Sequence, residues 1–157
     1  STPKPSSAAS DVYKRQEHHT YFTPDEQKTM MTLWCLFGSP LMLGAEMTLL
    51  DDDTLALLTN TDILAMLPPS VRPHQITRTD NEAVWYAKDD TTGTTYVALF
   101  NLSDAPQTVS STLADADCPL ESVAAKELWI GKALSLNGGF SASLAPHACS
   151  VCRFETR

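Results

Sequence analysis

Cys149 and Cys152 stand three apart in the segment ACSVCRF, a CxxC spacing that can mark a redox pair or half of a zinc site. Either chemistry needs more: a second CxxC, or a helix N-terminus at the pair. This segment reads as a strand, in which positions three apart point to opposite faces. Two structural cysteines are therefore expected, with no metal, and His147 nearby adds only a single further ligand. The remaining groups able to do chemistry are carboxylates and histidines. Asp51, Asp52 and Asp53 could be imagined as a metal site, yet they stand where a helix begins and suit a solvated cap. Asp89 and Asp90 lie in a turn, Asp115 and Asp117 in a loop, and His18 and His19 in a segment expected to be loop. None of these forms a convincing acid/base pair.

The elements that would position such residues follow from spacing. Thr23 is an N-cap, Pro24 suits the first helical position and Glu26 stands where a capping-box acid belongs, so a helix starts here. Met30, Leu33, Trp34 and Phe37 recur at helical spacing and predict its buried stripe. Gly38 stops the helix and Pro40 resists its continuation. Pro40 to Gly44 is short and wholly apolar, the pattern of a strand covered on both faces in a parallel sheet. Together these make one αβ step of a barrel or doubly wound sheet, a step that needs partner strands. A second helix starts at Asp51, and a short turn, Thr61 to Leu67, follows Asn60 and is closed by Pro68 and Pro69.

After Pro73 the pattern changes to short strands separated by turn residues, as in an antiparallel all-β domain. The predicted strands are Gln75–Thr79, Ala83–Lys88, Thr95–Leu102, Gln107–Leu113, Ala125–Ile130, Phe140–Leu144 and Ser150–Phe154. Asp89 to Gly93 joins the second and third as a hairpin, and Asn137-Gly138-Gly139 is a further turn. Trp85, Tyr96, Leu99, Phe100, Trp129 and Phe140 are expected in the core or between sheets. An aromatic row on a sandwich can alternatively stack on sugars.

The chain has 157 residues, 43% of them hydrophobic and 19% charged, which is the balance of a globular protein. A net charge of −8 disfavours nucleic acid or an anionic membrane as partner. No apolar run approaches the ~20 residues that cross a bilayer. Residues 1–16 are rich in Ser, Pro and Ala and lack periodicity. Their end, DVYKRQ, resembles the translation of a transposon end used in preparing sequencing libraries, so they are set aside as a leader outside the fold.

Taken in order, HHTYFTPDEQKTMMTLWCLFGSPLMLGAEM and LDDDTLALLTNTDILAML resemble the end of the catalytic barrel of family 27 glycoside hydrolases, the α-galactosidases or melibiases. VWYAKDD…TYVALFNLSD and ELWIGK…FSASLAPHACSVCRF are similar to the small antiparallel β-domain at that family's C-terminus. The likeness runs from about Glu17 to Phe154. It departs from the family at the junction, where an N-Q-D-P-L-G-like run is replaced by Met66-Leu67-Pro68-Pro69-Ser70.

The resemblance implies an α+β chain: the last αβ steps of a (β/α)8 barrel over residues 17–70, then an antiparallel β-sandwich over residues 71–157. It implies hydrolysis of terminal α-galactosides with retention by two aspartates about 5–5.5 Å apart. Neither aspartate matches a position here, so no catalytic residue is assigned and the chain is not expected to be catalytic alone. Leu43, Gly44 and Ala45, at the C-terminal end of the predicted barrel strand, are the positions expected to line the sugar pocket wall in a whole enzyme. No cofactor is implied. An α-galactoside is the implied partner, with homo-oligomers left open, and cysteine usage fits a reducing cytoplasm. The competing reading is a non-catalytic carbohydrate-binding or structural β-sandwich that uses Trp85 or Trp129 as its platform.

Overall fold

The computed structural model describes residues 20–44 and 47–155; the DVYKRQ leader, His18, His19 and Ala45 lie outside them. Helix α1 (Pro24–Leu36) starts as its sequence dictates. The Glu26 amide donates to Thr23 Oγ1 at 3.2 Å, and the Thr23 amide donates to Glu26 Oε2 at 2.7 Å, a complete capping box. It ends at Gly38, whose φ of +60° is cheap only for glycine. Asp51 caps α2 (Asp52–Leu58) by accepting from the Thr54 amide at 2.7 Å. Asn60 Oδ1 caps α3 (Thr61–Leu64) by accepting from the amides of Asp62 and Ile63. The triple aspartate is thus a helix start.

Eight strands follow: β1 (Val71–Arg78), β2 (Glu82–Asp89), β3 (Thr94–Asn101), β4 (Gln107–Thr112), β5 (Ser122–Glu127), β6 (Ala133–Asn137), β7 (Gly139–Leu144) and β8 (Cys149–Glu155). Six form one sheet in the order β1-β2-β3-β8-β5-β6, while β4 and β7 pair as a second, and every pairing is antiparallel. Val84, Val97, Leu99 and Cys152 of the large sheet meet Val109, Phe140 and Leu144 of the small one, which makes the sandwich core. The opposite face of the large sheet, with Ala87, Tyr96, Ala98, Phe100 and Val151, packs under the helices. The layers are therefore helices, six strands, two strands. Strand β3 lies in the middle with both faces covered, which is why it is buried from Thr95 to Asn101 and reads apolar without alternation.

Several expectations change. Pro40–Gly44 forms no strand, because no described residue offers it a ladder, and Leu43 and Gly44 are exposed. The strand expected through Ile130 stops at Glu127, whose carboxylate accepts from the Ile130 amide at 2.7 Å and bends the chain into a turn completed by Gly131 at φ +68°. Strand β6 was not anticipated: it is five residues long, at a sheet edge, with only Leu134 and Leu136 to mark alternation. The Asn137-Gly138-Gly139 turn carries the chain from the large sheet to the small one instead of closing a hairpin. A Cβ at Gly139 would stand 2.3 Å from the Ser111 carbonyl oxygen, so only glycine permits this close strand approach. The Asp89–Gly93 hairpin forms as expected, with Asp89 accepting from the Thr91 amide and the Thr92 hydroxyl.

One buried side chain ties the loops at one end of the sandwich. Asn101 Nδ2 donates to the carbonyls of Ala105, Leu144 and Ala145, and its Oδ1 accepts from the Ser103 amide, the Ser103 hydroxyl and Gln107 Nε2. Removing it leaves several buried groups unpaired at once. Asn101→Ala is expected to cost about 3 kcal/mol in urea unfolding; a loss under about 1 kcal/mol would contradict the role assigned to this residue.

Candidate functional site

Helix α1 has two apolar faces, and they point in opposite directions. Met31, Thr32, Cys35 and Leu36 are buried against the large sheet. The stripe predicted from spacing, Met30, Leu33, Trp34 and Phe37, is covered only in part: Leu33 packs at the margin of the helix-side core and Phe37 touches Trp85, yet Met30 and Phe37 stay exposed and Leu33 and Trp34 only half-buried. The expectation that this quartet forms the buried stripe is therefore corrected, Leu33 alone of the four packing on the core. Both quartets recur at helical spacing, and the larger residues drew the assignment to the wrong one. The sheet accepts this face because Thr32 meets specific partners there while Cys35 is small enough to be wholly buried beside it.

Those partners form a polar array between layers. The Thr29 hydroxyl donates to the His147 carbonyl at 2.8 Å, on a residue held at φ +57°. Trp129 Nε1 donates to Thr32 Oγ1 at 3.0 Å, and Thr32 Oγ1 also meets Cys149 Sγ at 3.4 Å. Asn60 Nδ2 donates to the Leu128 carbonyl at 3.2 Å. Asp62 of α3 pairs with Lys126 of β5 and with Arg153 of β8, the latter at 3.1 Å. Lys126 and Arg153 are ladder partners, so two cations stand side by side on the sheet, and the helix carboxylate between them relieves their repulsion. None of these contacts was legible in advance, since their partners lie 64 to 118 residues apart.

Of the positions singled out by type, few come together. Cys149 lies on the helix side of β8 and Cys152 in the sandwich core, so the CxxC points both ways, as expected for a strand. All four thiols are free, and among the described residues no group of three potential metal ligands occurs. His147 Nε2 pairs with Asp104 at 2.8 Å on the surface. Asp117 accepts from the Tyr86 hydroxyl at 2.8 Å, and Asp115 from Thr112. Trp85 and Trp129 are half-buried against the helical layer, with Phe37 meeting Trp85 edge-on at 5.0 Å. Leu43 and Gly44 follow the helix on an exposed, ladder-free segment.

Burial pushes the Cys35 thiol up to about 11 and the Cys152 thiol up to about 12, and raises Cys149 as well. Only thiolate reacts. At pH 8 the native chain is expected to modify Cys35 and Cys152 roughly 100-fold more slowly than the urea-unfolded chain, read with a chromogenic disulfide; equal rates would refute their burial. The two helix faces are separable by mutation. Leu36→Ala is expected to cost about 2–4 kcal/mol, whereas Met30→Gln and Met42→Gln each change stability by under about 0.5 kcal/mol and lower aggregation in light scattering. A large loss at Met30 would place that face in the core after all.

Comparison with known proteins fits this arrangement. Residues 80–154 match the alpha galactosidase C-terminal beta sandwich domain. The chain is 28% identical over 133 residues to an alpha-galactosidase of Cyamopsis tetragonoloba, covering 82% of this chain and 32% of that protein. It is 26% identical over 143 residues to alpha-galactosidase A of Aspergillus niger, covering 87% of this chain and 26% of that one. A crystal structure of a family 27 β-L-arabinopyranosidase from Geobacillus stearothermophilus superposes with a TM-score of 0.82 at 36% identity, over 88% of this chain and 32% of that one. The chain thus spans between about a quarter and a third of these relatives. With its strands matching the family's C-terminal sandwich and its helices superposing along with them, the chain belongs to glycoside hydrolase family 27, as the C-terminal part of such an enzyme.

Proposed function

We propose that this chain is the non-catalytic closing part of a retaining α-galactosidase. Residues 17–70 serve as the end of its barrel and residues 71–157 as the sandwich that braces it. The observation that carries the reading is the apolar surface that α1 and the segment after it leave uncovered, with Met30, Phe37, Met42 and Leu43 exposed while Met31, Cys35 and Leu36 are seated on the sheet. A helix of that kind is built to lie between two layers. The second layer is the rest of a barrel, and the catalytic carboxylates belong to it, since the aspartates described here serve as caps, turn residues and ion-pair partners. Leu43, Gly44 and Ala45 then contribute shape to the wall of the sugar pocket, with α-linked terminal galactose as substrate and neither nucleic acid nor membrane as partner.

The arabinopyranosidase relative sharpens the substrate question. A β-L-arabinopyranoside has the ring stereochemistry of an α-D-galactoside without its C6 hydroxymethyl group, so a single pocket shape can be tuned to either sugar. The sandwich-as-lectin alternative has less support, because Trp85 and Trp129 are engaged by Phe37 and Thr32 and present no open stacking row. The purified chain is expected to give no turnover of aryl α-galactosides, while the full-length product of its gene hydrolyses them in preference to aryl β-L-arabinopyranosides and α-N-acetylgalactosaminides. Turnover by the isolated chain, or a full-length product that ignores all three, would overturn the proposal.

A further inference from the structure

We propose that Trp34 and Trp85 are positioning residues for the Pro40–Gly44 segment, so that the sandwich sets the placement of the pocket wall. The proposal rests on the reading of Leu43 and Gly44 as wall residues. After α1 the chain turns at Gly38, where a Cβ would come within 3.6 Å of the Leu67 carbonyl oxygen. Three side-chain contacts fix the chain between Phe37 and Leu41, on either side of this turn. The Phe37 ring meets the Trp85 ring edge-on, with centroids 5.0 Å apart and planes at 87°. The Trp34 indole N–H donates to the Pro40 carbonyl at 3.0 Å. Leu41 packs on the helix-side core.

Trp85 belongs to β2, paired in the ladder with Gln75 of β1 on one side and Ala98 of β3 on the other, and thus stands on an interior strand of the large sheet. The segment itself has no ladder, and Met42, Leu43 and Gly44 are exposed. Its direction is therefore set by these anchors and by the left-handed Gly38. Leu43 lies only two residues beyond the last anchor, a lever short enough to carry a displacement to the wall. Shifts near 1 Å at a substrate contact are enough to weaken binding. Neither tryptophan touches substrate in this scheme; both act through the segment.

The test has two arms. In the 157-residue chain, backbone order parameters of Leu41 to Leu43 are measured for wild type, Trp34→Phe, which removes only the donor, and Trp85→Leu, which removes the edge contact. Hydrogen exchange of β3 reports that the fold survives. Order is expected to fall toward the flexible range below about 0.6 in both variants, and unchanged values in both would overturn the proposal. In the full-length product, the same substitutions are expected to raise KM for an aryl α-galactoside about fivefold while kcat stays within about twofold, as for lost ground-state positioning. A purely structural role would reduce active enzyme while leaving both KM and the order of Leu41 to Leu43 unchanged, and that pattern would overturn it too. Lowered order with unaltered KM would keep the positioning role and instead overturn the assignment of Leu43 and Gly44 to the pocket wall.

Discussion

A helical stretch that is apolar around most of its circumference has to be covered on both sides, and the second half of α1, from Met30 to Leu36, imposes that constraint on the whole molecule. One side is satisfied internally: Met31, Cys35 and Leu36 sit on the face of the large sheet that carries Ala98, Phe100 and Val151. This makes the large sheet a middle layer, apolar on both faces, and it explains why β3 is buried along nearly its full length. On the other side Met30 is exposed, and Phe37 touches Trp85 with only part of its ring covered. The sandwich and the helices are thus parts of one stack, with apolar side chains left exposed on its helical side.

Apolar contact alone would let the helices slide over the sheet, since hydrophobic burial has no direction. Direction comes from the polar array. Thr29, Thr32, Asn60 and Asp62 each reach a defined partner on the sheet or its turns, and leaving these part-buried groups, above all the fully buried Thr32, unpaired is costly. The Lys126–Arg153 pair is the clearest case. Neighbouring cations on adjacent strands disfavour the sheet until Asp62 arrives with the helix, so the ion pairs couple sheet register to helix docking.

Much of the local structure was legible in the residues. Thr23 with Glu26, Asp51 and Asn60 mark three helix starts, because capping is a contact between neighbours in sequence. Seven of the strands and the Asp89–Gly93 turn follow from alternation and turn chemistry. The opposed faces of Cys149 and Cys152 follow from the strand period. The helix face that would be buried did not follow, because two equally periodic apolar stripes compete and only the sheet chooses between them. Strand β6 escaped because five residues with two leucines carry little signal, and the Asn101 hub escaped because its acceptors lie as far away as Ala145.

The sequence by itself determined the family, the three helix starts and seven of the eight strands, since motifs, caps and alternation are all encoded over short spans. Only the tertiary structure decided which face of α1 belongs to this part of the molecule, which strands share a sheet and where Pro40–Gly44 lies. Those outcomes depend on pairings between residues up to 118 positions apart, and on whether a ladder partner is present, which no local pattern contains.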